Sequence, residues 1–307
     1  MTKIIEDKLN KIPVVRSLMR LTQKIKLPWL EGLSFYDLLE LYFIGIAKGA
    51  FSYRASAIAF SFFMALFPFA LFILNLIPVI PIDDLQTDFL KFVEESVPPN
   101  TYDAIYKILN DILNNSYKGL LSSGFLLSIF LMANGVNAIL GGFEYSRHIT
   151  VTRGFFRQYA VSIGIAIILA FLLIITVSAI VVLEYIIQTM KSRGIFENIN
   201  LINIGRFVFL GLMILTATSI LFKFGTRQTR KNSFFSIGSI FTTILIILTS
   251  FVFGIYVVRF AKYNELYGSI GTLLILMIYI WLNCMILLLG FELNGTINRL
   301  KRKKLFN

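Results

Sequence analysis

Six segments of this chain are each long enough and apolar enough to cross a bilayer, which takes about 20 residues of helix. They fall near Ala55–Ile80, Gly119–Gly141, Gln158–Ile187, Ile202–Phe222, Ser233–Val258 and Ser269–Leu293. A secretory signal would sit at the extreme N-terminus with an apolar region of roughly 7–15 residues, whereas the first segment begins at Ala55 and is longer. A soluble protein would have to bury all six at once. Composition agrees with the membrane reading: 15% of the 307 residues are charged and 57% are hydrophobic, where a soluble domain carries about 25% charged residues. The expected fold is all-α, a polytopic membrane bundle of six transmembrane helices preceded by N-terminal interfacial helices.

The first segment contains Pro68. Proline cannot donate to the carbonyl one turn before it, here that of Met64, and its ring pushes that carbonyl aside. An orphaned carbonyl is costly in lipid unless neighbouring helices meet it. Pro68 therefore predicts a kink that faces protein, either a packing kink or a hinge. Pro78 and Pro81 mark the turn out of the span.

Six spans put both termini on one side, and the charges sort accordingly. Of 29 Lys and Arg, 21 lie in the first 54 residues, in the loops around Glu144–Arg157 and Lys223–Lys231, and after Leu293; 8 lie on the other side. Basic residues mark the cytoplasmic face, so the N- and C-termini are expected in the cytoplasm. This placement accounts for the net charge of +12 without nucleic-acid binding, and no nucleic acid is expected as a partner.

Residues 1–54 form a basic cytoplasmic segment. In it Arg16, Arg20 and Lys24 make a ridge at helical spacing beside Val15, Leu18, Met19 and Ile25, the pattern of an amphipathic helix lying on an anionic lipid surface. Each such cation contributes about 1 kcal/mol near the headgroups. A second interfacial helix precedes the first span. Residues 55–298 form the transmembrane domain, interrupted by an external loop, 81–118, that holds seven acids. Apolar residues at three- and four-residue spacing predict two amphipathic helices there, joined at Pro98-Pro99. Residues 299–307 are a basic cytoplasmic tail.

Templates for enzyme chemistry are missing. The single histidine, His148, and single cysteine, Cys284, supply neither a metal cluster nor a Ser-His-Asp arrangement. No phosphate-binding G-x-x-x-x-G-K-[ST] loop is present. The chain is expected to be non-enzymatic, with no metal and no cofactor. What remains is polar content within the spans, which is costly in lipid and tends to face the bundle or a water path. Asn134 and Asn137 share a face of the second span, and Asn283 follows Tyr279 by one turn in the sixth; Asn75 lies in the first. These residues, with Pro68, are candidates for a transport path or for polar packing between helices. Ser162, Ala166 and Ala170 form a small-residue stripe that permits close helix contact. Arg54 and Glu292 lie near span ends, where long side chains are expected to reach headgroups.

The stretch Tyr267 to Asn294, "YGSIGTLLILMIYIWLNCMILLLGFELN", resembles the closing signature of the YihY/BrkB family of bacterial inner-membrane proteins. The matching residues are Tyr267, Gly268, Ser269, Gly271, Gly290, Glu292 and Asn294, with the aromatic pair exchanged at Tyr279 and Trp281. The Phe67-Pro68 step is similar to the family's first span. "GGFEYSRHITVTRGFFRQ" resembles the loop after its second, with Arg153 matching a family arginine and Glu144 standing where the family has Asn. The resemblance implies six spans and a plasma-membrane location. It also carries an old label, ribonuclease BN, which the residues here do not support, and associations with virulence and envelope lipid export.

The expected role is a multi-pass inner-membrane transporter or lipid-handling protein that does not use ATP. The alternative is a structural or assembly factor of the envelope, and a ribonuclease ranks last. Expected partners are membrane lipids, with envelope proteins or a homo-oligomer as further candidates.

Overall fold

The computed structural model describes residues 36, 50–76, 85–96, 106, 109–110, 113, 118–146, 149, 151–192, 199–229, 233–260 and 269–304. Regular structure among these is helical throughout: α1 Phe51–Leu76, α2 Leu85–Ser96, α3 Lys118–Glu144, α4 Phe155–Ser192, α5 Ile199–Phe224, α6 Ile237–Phe260 and α7 Ser269–Lys304. The predicted interfacial helix with Arg16, Arg20 and Lys24 lies outside the described residues, as do Tyr267 and Gly268.

Six of the seven helices correspond to the six apolar segments. Four carry a described stretch long and apolar enough to cross a membrane: Phe155–Ile180, Phe207–Phe224, Ile237–Val257 and Leu273–Arg299. The apolar stretches described in α1 and α3, Phe51–Leu66 and Ile129–Glu144, are shorter. The chain is thus an all-helical, multi-pass membrane protein. Large apolar side chains such as Phe171, Phe207 and Phe251 stand exposed on the helix surfaces, as hydrocarbon solvent allows.

Local chemistry sets several helix ends. Ala50 takes a left-handed φ of 45° and its carbonyl accepts from Arg54 N at 3.1 Å, starting α1. The helix then runs unbroken past Pro68 to Leu76. Ser236 and Ser239 cap α6 reciprocally: Ser239 N donates to Ser236 Oγ at 3.1 Å, and Ser236 N to Ser239 Oγ at 3.0 Å. This meets donors that a helix start leaves orphaned. Thr226 and Thr229, just past α5, repeat the exchange at 3.3 and 3.4 Å. α7 has 36 residues, about 54 Å at 1.5 Å per residue, well beyond a hydrocarbon core of roughly 30 Å. The helix continues into the basic tail through Lys304, where no proline interrupts "LNGTINRLKRKK".

In the loop over residues 81–118, α2 matches the first predicted amphipathic helix. Tyr106, Leu109, Asn110 and Leu113 are also helical, with Leu109 and Leu113, one turn apart, buried.

Neighbouring helices pack in chain order. α1 lies on α3, α3 on α4, α4 on α5, α5 on α6, α6 on α7, and α7 returns to α1. The six long helices therefore close a ring. Its packing is uneven along the axis. Buried residues gather at the end holding the start of α1, the end of α3 and the starts of α4 and α6, together with the ends of α5 and α7. This is the end of the basic loops. Toward the opposite end no described side chain from Ile244 to Val257 of α6 is buried, and none from Leu273 to Asn283 of α7. Closely packed helices bury their facing sides, so along these stretches α6 and α7 leave described surface open. A groove of about 430 Å³ opens there between α6 and α7, lined by Leu248, Val252, Phe253, Tyr256, Ile278 and Leu282, with Thr249.

Candidate functional site

The tight end is held by buried polar groups. Arg54, in the first turn of α1, is buried, and its Nη2 donates to the carbonyl of Gly142 on α3. The same guanidinium lies against the Phe51 ring, 5.0 Å from its centroid, and in the field of Glu292. Glu292, on α7, is wholly buried; its Oε2 accepts from Ser146 Oγ, just past α3, at 2.7 Å. One guanidinium–carbonyl bond and one hydroxyl–carboxylate bond thus tie the end of α3 to α1 and to α7. The expectation that Arg54 and Glu292 reach headgroups is corrected. The ring closes α7 onto α1, so both side chains are buried inside protein, where the field of the opposite charge offsets part of the desolvation cost.

A second tie crosses to α5. Arg153 lies in the α3–α4 connection. Its Nη1 donates to Gly225 O at 2.7 Å and Nη2 to Phe224 O at 2.8 Å. These carbonyls end α5, where helices leave acceptors unsatisfied and favour cations. Glu144 holds the same connection by accepting from Arg153 N at 3.2 Å. The Gln158 amide, turned to donate, reaches both Glu144 oxygens at 2.9 and 3.2 Å. Glu144 therefore serves its own loop.

A third tie joins α6 and α7. Asn294 Oδ1 accepts from Gly238 N at 2.8 Å, and Asn294 Nδ2 donates to Ser236 Oγ at 2.8 Å. Gly238 and Gly290 sit where the two backbones cross. A Cβ on Gly290 would collide with Thr242 Oγ1, and one on Gly238 with the Gly290 carbonyl.

Within this frame three rings meet. Phe143 of α3 stacks on Phe291 of α7, centroids 4.0 Å apart and planes 6° apart. Phe222 of α5 sets its edge against both, at 5.6 and 5.8 Å. All three are buried. They come from alternate members of the ring, so they fill its axis.

The signature residues therefore have structural partners. Gly290 and Asn294 meet α6, Glu292 meets Ser146 just past α3, and Gly271 is buried near the start of α7. The span polar residues divide between two interfaces. Asn134 Oδ1 accepts from Tyr159 OH at 3.0 Å and Asn137 Oδ1 from Ser162 Oγ at 3.4 Å, both across α3–α4. Tyr279 OH pairs with Ser250 Oγ at 2.7 Å across α6–α7, while Asn283 Nδ2 turns back to Tyr279 O at 2.8 Å. Pro68 and Asn75 lie in the C-terminal part of α1. Sequence reasoning missed Ser146 and the three phenylalanines; neither residue type stands out in a chain with 30 Phe. Among the described residues no three His, Cys, Asp or Glu are grouped to hold a metal ion.

A closed ring of apolar helices, fastened at one end by buried polar side chains, defines a polytopic helical membrane protein. The chain belongs to the family described as Virulence factor BrkB, which it matches over residues 45–306. It is 29% identical over 255 residues to "Putative ribonuclease-like protein YfkH" of Bacillus subtilis (strain 168), covering 82% of this chain and 91% of that one. It is 23% identical over 259 residues to a UPF0761 membrane protein of Aggregatibacter aphrophilus, covering 82% and 89%. A UPF0761 membrane protein of Pseudoalteromonas translucida matches at 36% over 61 residues, 20% of each chain. No solved structure matches the chain.

Proposed function

We propose that this protein is a transporter or lipid-handling protein of the bacterial inner membrane. It crosses the bilayer six times with both termini in the cytoplasm, and it moves or accommodates an amphiphile without ATP and without acting as an enzyme. The observation that carries the reading is the apolar groove between α6 and α7, where the described side chains are exposed or half-buried, beside a basic end filled by polar ties and stacked rings. Membrane lipids are the natural occupants of such a surface. The charge bias of the loops supports placing the filled end in the cytoplasm.

The test is reconstitution of the full chain into liposomes carrying fluorescent lipid analogues. Transbilayer movement above that of protein-free liposomes is expected; equal rates, with no lipid copurifying, would remove the reading. A second reading, an envelope assembly factor, is favoured by the density of ties at the basic end, which makes a rigid platform. Crosslinking in cells that captures one stoichiometric partner, with no lipid movement in liposomes, would favour it. RNA cleavage lost on changing Glu144 or Glu292 would displace both.

A further inference from the structure

We propose that the outward face of α3 is an interface between two copies of this chain, paired at Asn134. The proposal stands whether or not the protein moves lipid.

The face is defined by spacing and burial together. Leu127, Leu131, Asn134, Ala138, Gly141 and Tyr145 follow one another at alternating intervals of four and three. They therefore lie along one side of α3, in the register by which helices pack on one another in a coiled coil. Tyr145 extends that side by one residue, its N–H donating to Gly141 O at 3.1 Å. The opposite side is occupied: Ala133, Val136, Leu140 and Phe143 are buried in the bundle. The flanks are occupied as well. A Cβ on Gly135 would lie 3.3 Å from the Phe62 ring of α1, and Asn137 meets Ser162 of α4. The six outward residues are exposed or half-buried, Leu127 being 50% and Tyr145 79% exposed.

The middle of this face is unlike one that lipid merely covers. Asn134 lies seven positions inside the Gly141 end of the second apolar segment, about 10 Å at 1.5 Å per residue. Hydrocarbon at that depth offers no hydrogen-bond partner. Asn134 Oδ1 accepts from Tyr159 OH at 3.0 Å, which fixes the carboxamide and leaves its Nδ2 hydrogens without an acceptor among the described residues. A phospholipid would supply one only by drawing its headgroup down into the hydrocarbon. A second copy supplies one at no such cost. Copies inserted with one topology pair about an axis along the membrane normal, so each residue beside the axis faces its own counterpart at its own depth. Each Asn134 then donates to the remaining lone pair of the other copy's Oδ1. Ala138 and Gly141, one and two turns further along, leave room for the two backbones to approach. A polar residue at such a seam position also fixes the register of the pair.

The test is disulfide trapping of the full chain in membranes, with copper phenanthroline as oxidant. The wild type is the blank, because its one cysteine, Cys284, is buried. Ala138→Cys and Gly141→Cys should each run as a covalent dimer, since residues facing each other across the axis come within the Cα separation of about 4.4–6.8 Å that a disulfide needs. A Cβ at Gly141 meets only Gln158, at 4.0 Å, so that variant fits the fold. Phe251→Cys, on the exposed surface of α6, should stay monomeric. Asn134→Leu keeps the face apolar and removes the amide. Its dimer, counted by single-molecule photobleaching of a fluorescent tag in dilute liposomes, should dissociate about three- to tenfold more readily than the wild type. Trapping at Phe251→Cys as strong as at Ala138→Cys would reduce the dimer to random collision and overturn the proposal, as would no trapping at either α3 position. Unchanged dissociation in Asn134→Leu overturns the pairing at Asn134. A monomer that carries phospholipid in native mass spectrometry, and loses it in Asn134→Leu, gives the face to lipid instead.

Discussion

Asn294 of α7 completes the first turn of α6 for Gly238, accepting its backbone N–H at 2.8 Å. The bond is buried and joins positions far apart in the chain. Asn294→Ala removes the acceptor and leaves a buried donor, so the full chain in detergent should lose about 1–3 kcal/mol of stability. Thermal unfolding followed by size-exclusion fluorescence measures the loss. An unchanged midpoint would show that water replaces the side chain.

Gly290 presses directly on Thr242. Gly290→Ala overpacks the α6–α7 crossing and should cost about 1–3 kcal/mol. Adding Thr242→Ala removes the colliding hydroxyl and should recover part of that. A double-mutant cycle in the same unfolding assay reads the coupling; strictly additive losses would contradict the contact.

Arg54 and Glu292 are both buried, and the guanidinium lies in the field of the carboxylate, so removing one leaves the other charge less compensated. Glu292→Ala should cost about 3–5 kcal/mol, whereas Arg54→Met with Glu292→Leu should cost less than either single change. Expression level and detergent half-life of the three variants give the ranking. A double variant worse than both singles would mean the pair has a role beyond mutual neutralisation.

Arg153 spans two carbonyls at the end of α5. Lysine carries the charge but lacks the planar fork. Arg153→Lys should therefore lose one of the two bonds, about 1 kcal/mol, and Arg153→Ala more. Hydrogen exchange of the last turn of α5 is the direct measure, and should rise in both variants in that order.

The helices were largely legible because apolar length is a local property. Each run that demanded a span became a long helix. The amphipathic spacing of Leu85–Ser96 was enough to place α2. Boundaries drifted where a helix outruns the hydrocarbon, as α7 does in continuing through its basic end. Residue roles were less legible. Glu292 looks like a headgroup-reaching acid when only its position in a span is known. Asn134 and Asn137 look alike in sequence to Asn283, yet two bridge helices and one folds back on its own.

Sequence alone determined that this chain is helical and lives in a membrane, because twenty apolar residues have one stable solution in lipid: every backbone polar group bonded within its own helix. Only the tertiary structure decided that α7 closes onto α1. That closure brings Arg54 into the field of Glu292 and Phe143, Phe222 and Phe291 together. Such meetings depend on which helix faces which, information that no short window of sequence contains.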